Sequence, residues 1–265
     1  MLTTLSVDKP EGTHRAPVDL VCVIDHSGSM KGQKIELVKS SFEALLEYLN
    51  EEDRLSVVIF DNKVARLTPL LRMTQENKDK TLIALQPVKG AGGTNIDLGM
   101  REAFKILKSR RYFNSVTSIF LLSDGLDNGA QAKVQKSLEA FDIKENFTIH
   151  CFGFGNDHDP KLMTDISDLK DGNFYFVEKL DTVDECFVSC LGSLISAVAK
   201  NVEIRIRAHD SQVLTGVRIA KAYGDASMWD KDGDAYLTKI AQLVTGKSKN
   251  YVLDIVIPKN SKELA

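Results

Sequence analysis

Residues 18–25 read Val18-Asp19-Leu20-Val21-Cys22-Val23-Ile24-Asp25, and His26-Ser27-Gly28-Ser29 follows directly. The first eight form a near-continuous apolar run that stops at a carboxylate. A strand reads this way when both of its faces are buried, as in a parallel sheet covered by helices on each side. The polar residues after it then lie at the carboxyl end of the strand, where open α/β sheets bind ligands.

Outward from this run the chain alternates. Residues 34–49 carry Ile35, Val38, Phe42, Leu45, Leu46 and Leu49 at helical spacing on one face. Apolar runs predict strands at 54–60, 64–67, 116–123, 147–154 and 174–177. Helices are predicted at 75–85, 96–107, 131–141, 162–169 and 183–200. Strands separated by helices imply parallel pairing through right-handed crossovers, so the expected fold is a doubly wound, mostly parallel α/β sheet. After residue 200 the period falls to two: Val202, Ile204 and Ile206 alternate with Glu203, Arg205 and Arg207, and Tyr251, Leu253 and Ile255 follow the same rule. Further strands are expected at 213–219 and 236–243, giving a small antiparallel β unit. Residues 2–7 also read as a strand that returns to this unit. The expected division is residues 1–16 as N-terminal strand and linker, 17–200 as the α/β domain and 201–265 as the β extension.

Composition excludes several classes. Of 265 residues, 43% are apolar and 27% charged, which describes a globular chain and not a disordered one. Thirty-four basic and 37 acidic side chains leave a net charge of −3, without the basic surplus of a nucleic-acid binder. Apolar runs reach only about 5 residues, far below the ~20 that span a bilayer. The start of the chain has no basic head followed by an apolar stretch, so no secretory signal is read and an intracellular location is expected. Cys22 and Cys151 lie in apolar strands, and Cys186 and Cys190 are four apart in a helix without nearby His partners. Four free structural thiols are expected, not a zinc site.

Three strand-end loops are rich in oxygen: Asp25-His26-Ser27-Gly28-Ser29, Gly92-Gly93-Thr94-Asn95 and Ser123-Asp124-Gly125. Each alone has an ordinary reading, as a helix cap or a turn. Together they offer the carboxylates of Asp25 and Asp124 and the hydroxyls of Ser27, Ser29 and Thr94, the oxygen set that suits a hard divalent cation. The pattern D-x-S-x-S, then a distant Thr, then an Asp closing an apolar strand resembles the metal-ion-dependent adhesion site of von Willebrand factor A domains. The resemblance spans residues 18–200 and also rests on Phe120-Leu121-Leu122-Ser123-Asp124-Gly125. It implies a Mg²⁺ or Mn²⁺ site at Asp25, Ser27, Ser29, Thr94 and Asp124. Ser27, Ser29 and sometimes Thr94 would touch the ion directly, with the carboxylates often acting through water. The tail, with Trp229 and Tyr251-Val252-Leu253, resembles the β-sandwich extension of some intracellular eukaryotic members.

Other sharp features have blander readings. His26 reads as a solvated loop residue, and Asn156-Asp157-His158-Asp159 as a polar loop before Pro160. Asp230-Lys231-Asp232-Gly233-Asp234 invites a calcium-loop reading, but its sixth position is Ala235 and its twelfth Ala241, where Gly and Glu are needed. It is expected to be a hairpin turn. The function expected is metal-dependent protein binding, in which an Asp or Glu of the partner completes the ion's coordination. One alternative is a structural module with an unregulated metal site. The other is a metal hydrolase, for which His26 is the only general-base candidate in the loops. No enzyme activity is expected.

Overall fold

The computed structural model describes residues 2–6, 15–155, 158–177, 180–195, 197–209, 216–224, 229–244 and 248–258. The chain divides into two compact units, Arg15–Ile195 and the pair Met1–His14 with Ser196–Ala265.

The larger unit is built on β2 (Val18–Asp25), buried at all eight positions. It pairs in parallel with β3 (Arg54–Phe60) on one side and β5 (Val116–Ser123) on the other. β4 (Val64–Arg72), β6 (Thr148–Phe154) and β7 (Phe174–Val177) complete the order β4-β3-β2-β5-β6-β7, with only β4 antiparallel. The chain leaves β2 for β3 on one side and later crosses to β5 on the other. This places the switch of direction at β2. Because side chains alternate along a strand, Leu20, Cys22 and Ile24 join one core with Phe42 and Leu45 of α1 (Gln33–Tyr48) and Phe187 and Leu191 of α6 (Leu180–Ile195). Val21 and Val23 join the opposite core, with Met100 and Phe104 of α3 (Ile96–Lys108), Val134 of α4 (Ala130–Phe141) and Met163 of α5 (Pro160–Asp168). α2 (Gln75–Leu85) starts at Thr74, whose hydroxyl accepts from the Asn77 N–H. The mostly parallel doubly wound sheet predicted from β2 is therefore the one observed.

The amino end of the sheet is closed by arginines. Asp19 is fully buried and accepts from Arg54 Nε and Nη2 at 2.7 and 2.6 Å, from Arg110 Nη1 at 2.6 Å and from the Asn114 N–H at 3.2 Å. Asp53 accepts from both Nη atoms of Arg15 and from the N–H groups of Val18 and Asn50. Each buried carboxylate has an arginine donor on both oxygens and at least one backbone N–H in support, the condition under which burying a charge is tolerable.

The smaller unit contains two antiparallel sheets. One has the order β1-β12-β9, from β1 (Leu2–Ser6), β12 (Ser248–Val256) and β9 (Arg218–Ala222). The other has the order β10-β11-β8, from β10 (Asp230–Asp232), β11 (Ala235–Val244) and β8 (Ala197–Ile206). Trp229 packs edge-on against Tyr236 at 6.1 Å and Tyr251 at 5.4 Å, joining a residue of β11 to one of β12. Gly233 and Asp234 form the two-residue turn between β10 and β11, with Gly233 at φ 60°.

Three elements differ from their sequence reading. The helix read at 183–200 ends at Ile195, because from Ala197 the backbone pairs with β11 instead (Ala197 with Val244, Ala199 with Leu243). Ladder pairing overrides helical periodicity there. β4 runs on through Pro69 to Arg72, beyond the predicted end at 67. Proline is tolerated because β4 is an edge, and the register shifts beside it, where Ser56 Oγ donates to the Thr68 carbonyl at 2.7 Å. The strand read at 213–219 appears as β9 from Arg218, and residues 213–215 lie outside the described set. None of the four cysteines forms a disulfide. Among the described residues no helix is long and apolar enough to cross a membrane.

His150 on β6 is 1% exposed, and its Nδ1 accepts from the Asn173 N–H at 3.1 Å. The ring packs among Phe120 and Tyr175, and Nε2 has no partner among the described residues. Burial pulls its pKa from 6.5 down to about 4. Its folded value lies below its unfolded one, so the unfolded chain binds the extra proton. Stability is full above pH 6.5 and falls as pH drops towards 4, by up to about 3 kcal/mol. Urea unfolding at stepped pH should show this loss. His150→Gln, which keeps an acceptor for Asn173 but does not titrate, should flatten it.

Candidate functional site

The carboxyl ends of β2 and β5 carry the oxygen-rich loops. Asp25, the last residue of β2, is fully buried. Its Oδ1 accepts from the Ser27 N–H at 2.8 Å and its Oδ2 from the Ser123 hydroxyl at 2.6 Å. Burial raises its carboxyl pKa above the ordinary range, the two serines oppose that rise, and the negative charge of Asp124 adds to it. Ser27 begins a short 3₁₀ turn, Gly28–Met30. The fully buried Met30 anchors this turn in the core. Ser27 is 1% exposed and Ser29 is exposed, with their hydroxyl oxygens 3.0 Å apart.

The glycine loop is brought to this turn by backbone bonds. Gly28 N–H donates to the Gly92 carbonyl at 3.0 Å and Ala91 N–H to the His26 carbonyl at 2.7 Å. Gly92 has φ +78°, and a Cβ there would lie 2.6 Å from Asp61 Oδ2. Only glycine combines that backbone with so close an approach. Asp61, in the turn between β3 and β4, thus braces the loop that carries Thr94. Thr94 is partly buried, and its side chain makes no hydrogen bond to the other four site residues among the described residues. Asn95 caps α3 by accepting from the Leu98 N–H at 3.1 Å, and Asp127 Oδ2 accepts from the Ile96 N–H at 2.9 Å.

Asp124 follows β5 and is fully buried. Its Oδ2 accepts from Lys34 Nζ at 3.1 Å, whereas its Oδ1 has no hydrogen-bond donor among the described residues. A buried carboxylate oxygen without a donor is costly. The five side chains therefore offer only oxygen atoms, one of them a buried carboxylate oxygen without a donor among the described residues, which is the donor chemistry a hard divalent cation takes.

Residues 19–187 match the family model of the von Willebrand factor type A domain. The chain belongs to this family. It is 31% identical over 196 residues to the E3 ubiquitin-protein ligase WAV3 of Arabidopsis thaliana, covering 74% of this chain and 25% of the ligase. It is 30% identical over 157 residues to human inter-alpha-trypsin inhibitor heavy chain H4, covering 56% of this chain and 17% of that protein. The chain thus spans a quarter or less of the length of either relative. Among solved structures, a von Willebrand factor type A protein from Catenulispora acidiphila superposes with a TM-score of 0.74 at 21% identity. That match covers 98% of this chain and 61% of the other.

Within this von Willebrand factor A fold, His26 is tied back, its Nδ1 lying 3.3 Å from the Lys89 carbonyl. Of the loop at 156–159, residues 156 and 157 lie outside the described set. His158 stacks on Phe176 at 4.7 Å, and Asp159 caps α5 through the Leu162 N–H at 3.0 Å. Sequence reasoning missed Ser123, Asp61 and Lys34 as parts of the site. Lys34 carried a usable signal: it lies in the first turn of α1, where the helix dipole disfavours a cation without an anionic partner.

Ser123→Ala would leave Asp25 Oδ2 buried without its hydroxyl donor. It should destabilise the fold by about 1–3 kcal/mol in urea titrations with chelator present. Ser29→Ala, at an exposed hydroxyl, should stay within about 0.5 kcal/mol of the parent.

Proposed function

We propose that the chain is a metal-dependent protein-binding module, in which Mg²⁺ or Mn²⁺ is held by Asp25, Ser27, Ser29, Thr94 and Asp124, the residues of an intact adhesion site. The observation that carries this reading is the buried Asp124 Oδ1, which has no donor among the described residues, in a carboxylate whose charge acts on the buried Asp25. Hydroxyls add no charge, so the ion keeps net positive character. A carboxylate from a partner's Asp or Glu would complete its coordination and gain more than a neutral group. A single such contact is small, so the loops at 26–31, 90–95, 126–130 and 156–160 would supply the remaining area and the specificity. Leu126, two residues beyond Asp124 and 48% exposed, is an apolar contact of that kind.

The relatives support a binding role over a catalytic one. A plant protein named as a ubiquitin ligase and a human protein named as an inhibitor heavy chain share this segment and differ in what they are named for. Recognition of a protein partner is a role that both contexts can use. The segment itself, in this reading, catalyses nothing, acts inside the cell and carries its smaller unit, the N-terminal strand with residues 196–265, as a β-sandwich-like extension of the α/β domain.

Calorimetric titration with Mg²⁺ or Mn²⁺ tests the ion. The parent should bind one ion, and the double variant Asp25→Ala with Asp124→Ala should bind none. Affinity capture from cell extract tests the partner. Chelator should release it, and Thr94→Ala should weaken its capture without changing the melting temperature of the domain. A captured partner that stays bound in chelator and tolerates Thr94→Ala would place the interface elsewhere and end the adhesion-site reading.

A further inference from the structure

Lys34 reaches the candidate ligand Asp124 from an unusual position. It is the second residue of α1, at the positive end of that helix, and its side chain is 16% exposed. A lysine there has lost most of its hydration and opposes the helix dipole. It forms an ion pair with Asp124, whose own side chain is fully buried, with Nζ 3.1 Å from Oδ2. The buried aspartates at the other end of the sheet are held differently. Asp19 and Asp53 are gripped by arginines on both oxygens, with backbone N–H groups in support. Asp124 has a single ammonium on one oxygen, and the other oxygen has no donor among the described residues. An ammonium is a compact charge on a flexible stem and makes no bidentate grip, so it is the more readily displaced partner.

From this geometry we infer that Lys34 is a tethered competitor of the divalent ion. Its ammonium neutralises Asp124 when the ion is absent and must give way when the ion binds. The inference deepens the metal-site reading proposed above and rests on it. The ion and the ammonium seek the same carboxylate, and like charges at that distance repel. Every molecule with Lys34 seated on Asp124 is less ready for the metal, so the apparent affinity falls with the seated fraction. In exchange the domain keeps its buried Asp124 compensated without metal. The protein is thereby set to load its ion at a higher free concentration than its oxygen ligands alone would require, and to stay folded when unloaded.

The test is titration of Mn²⁺ alone, by calorimetry, into the parent, Lys34→Met, Lys34→Gln and Lys34→Arg, alongside thermal unfolding in chelator and in excess Mg²⁺. Lys34→Met keeps the apolar stem and removes the charge. It should bind Mn²⁺ at least tenfold more tightly, unfold at lower temperature in chelator, and gain more from Mg²⁺ than the parent does. Lys34→Gln, which still offers a donor to Asp124, should shift affinity in the same direction if the methionine variant folds poorly. Lys34→Arg keeps the charge and should bind the ion no more tightly than the parent. Unchanged or weaker Mn²⁺ binding in both neutral variants overturns the inference. Asp25→Ala in the same series separates the two readings: undiminished Mn²⁺ binding there means the metal site itself was misplaced, whatever Lys34 does.

Discussion

Burial of β2 on both faces and along both edges is the constraint from which the rest of the molecule follows. A strand hydrogen-bonded on each side and packed against helices above and below has no wet surface along its length. Its charged residues are confined to its ends, and it has two: Asp19 near the start and Asp25 at the finish. The ends are then solved by opposite means. At the amino end, guanidinium groups and backbone N–H groups saturate Asp19 and Asp53, and the result is a closed base for the sheet. At the carboxyl end, Asp25 is held by a serine hydroxyl and a backbone N–H, which orient the carboxylate without cancelling its charge. A sheet built with arginines at both ends would be equally solid and would have no electrostatic demand left over.

The direction of the winding decides which loops share that demand. With β3 on one side of β2 and β5 on the other, the segments after β2 and after β5 meet at one edge of the sheet, together with the glycine loop before α3. None of the three is free to drift. Met30 pins the first into the core, Gly92 lies against Asp61 in the second, and the third is tied to α3 through Asp127. Sites built on braced loops of this kind hold their geometry with little reorganisation.

Much of this was legible in the sequence because it depended on local rules. A doubly buried strand has a distinctive composition, and β2 and β5 were placed at their observed bounds by that alone. The helical faces of α1 and α3 followed from spacing. Asp25, Ser27, Ser29 and Asp124 were found because they lie at or just after the ends of buried strands, and Thr94 because it lies in a glycine-rich turn before a helix. What stayed hidden depended on partners distant in sequence. Ser123 is an ordinary strand residue until its hydroxyl is seen on Asp25, 98 positions away. Lys34 is marked only by its place in the first turn of α1 until its ammonium is seen on Asp124, 90 positions away. The end of α6 failed for the same reason, since residues 197–200 obey a ladder whose other strand lies near the end of the sequence. β4 runs on past its predicted end at 67 because a proline is harmless on an edge.

The pairing of β1 with β12 makes the von Willebrand factor A unit an insertion inside the β unit, and this has a kinetic consequence. Thr4 donates to Asn250 across 246 residues of chain. At a translation rate of about 5–20 residues per second, β1 leaves the ribosome roughly 10–50 s before its partner strand exists. Throughout that time it is a short strand with two open edges, a known hazard for pairing with another chain. Folding of residues 15–195 in the interval replaces a long flexible loop by a compact body and so reduces the closure entropy that the last strand must overcome. Topology thus sets what can happen when: residues 15–195 can fold before β12 exists, whereas the pairing of β1 must wait for residues 248–256.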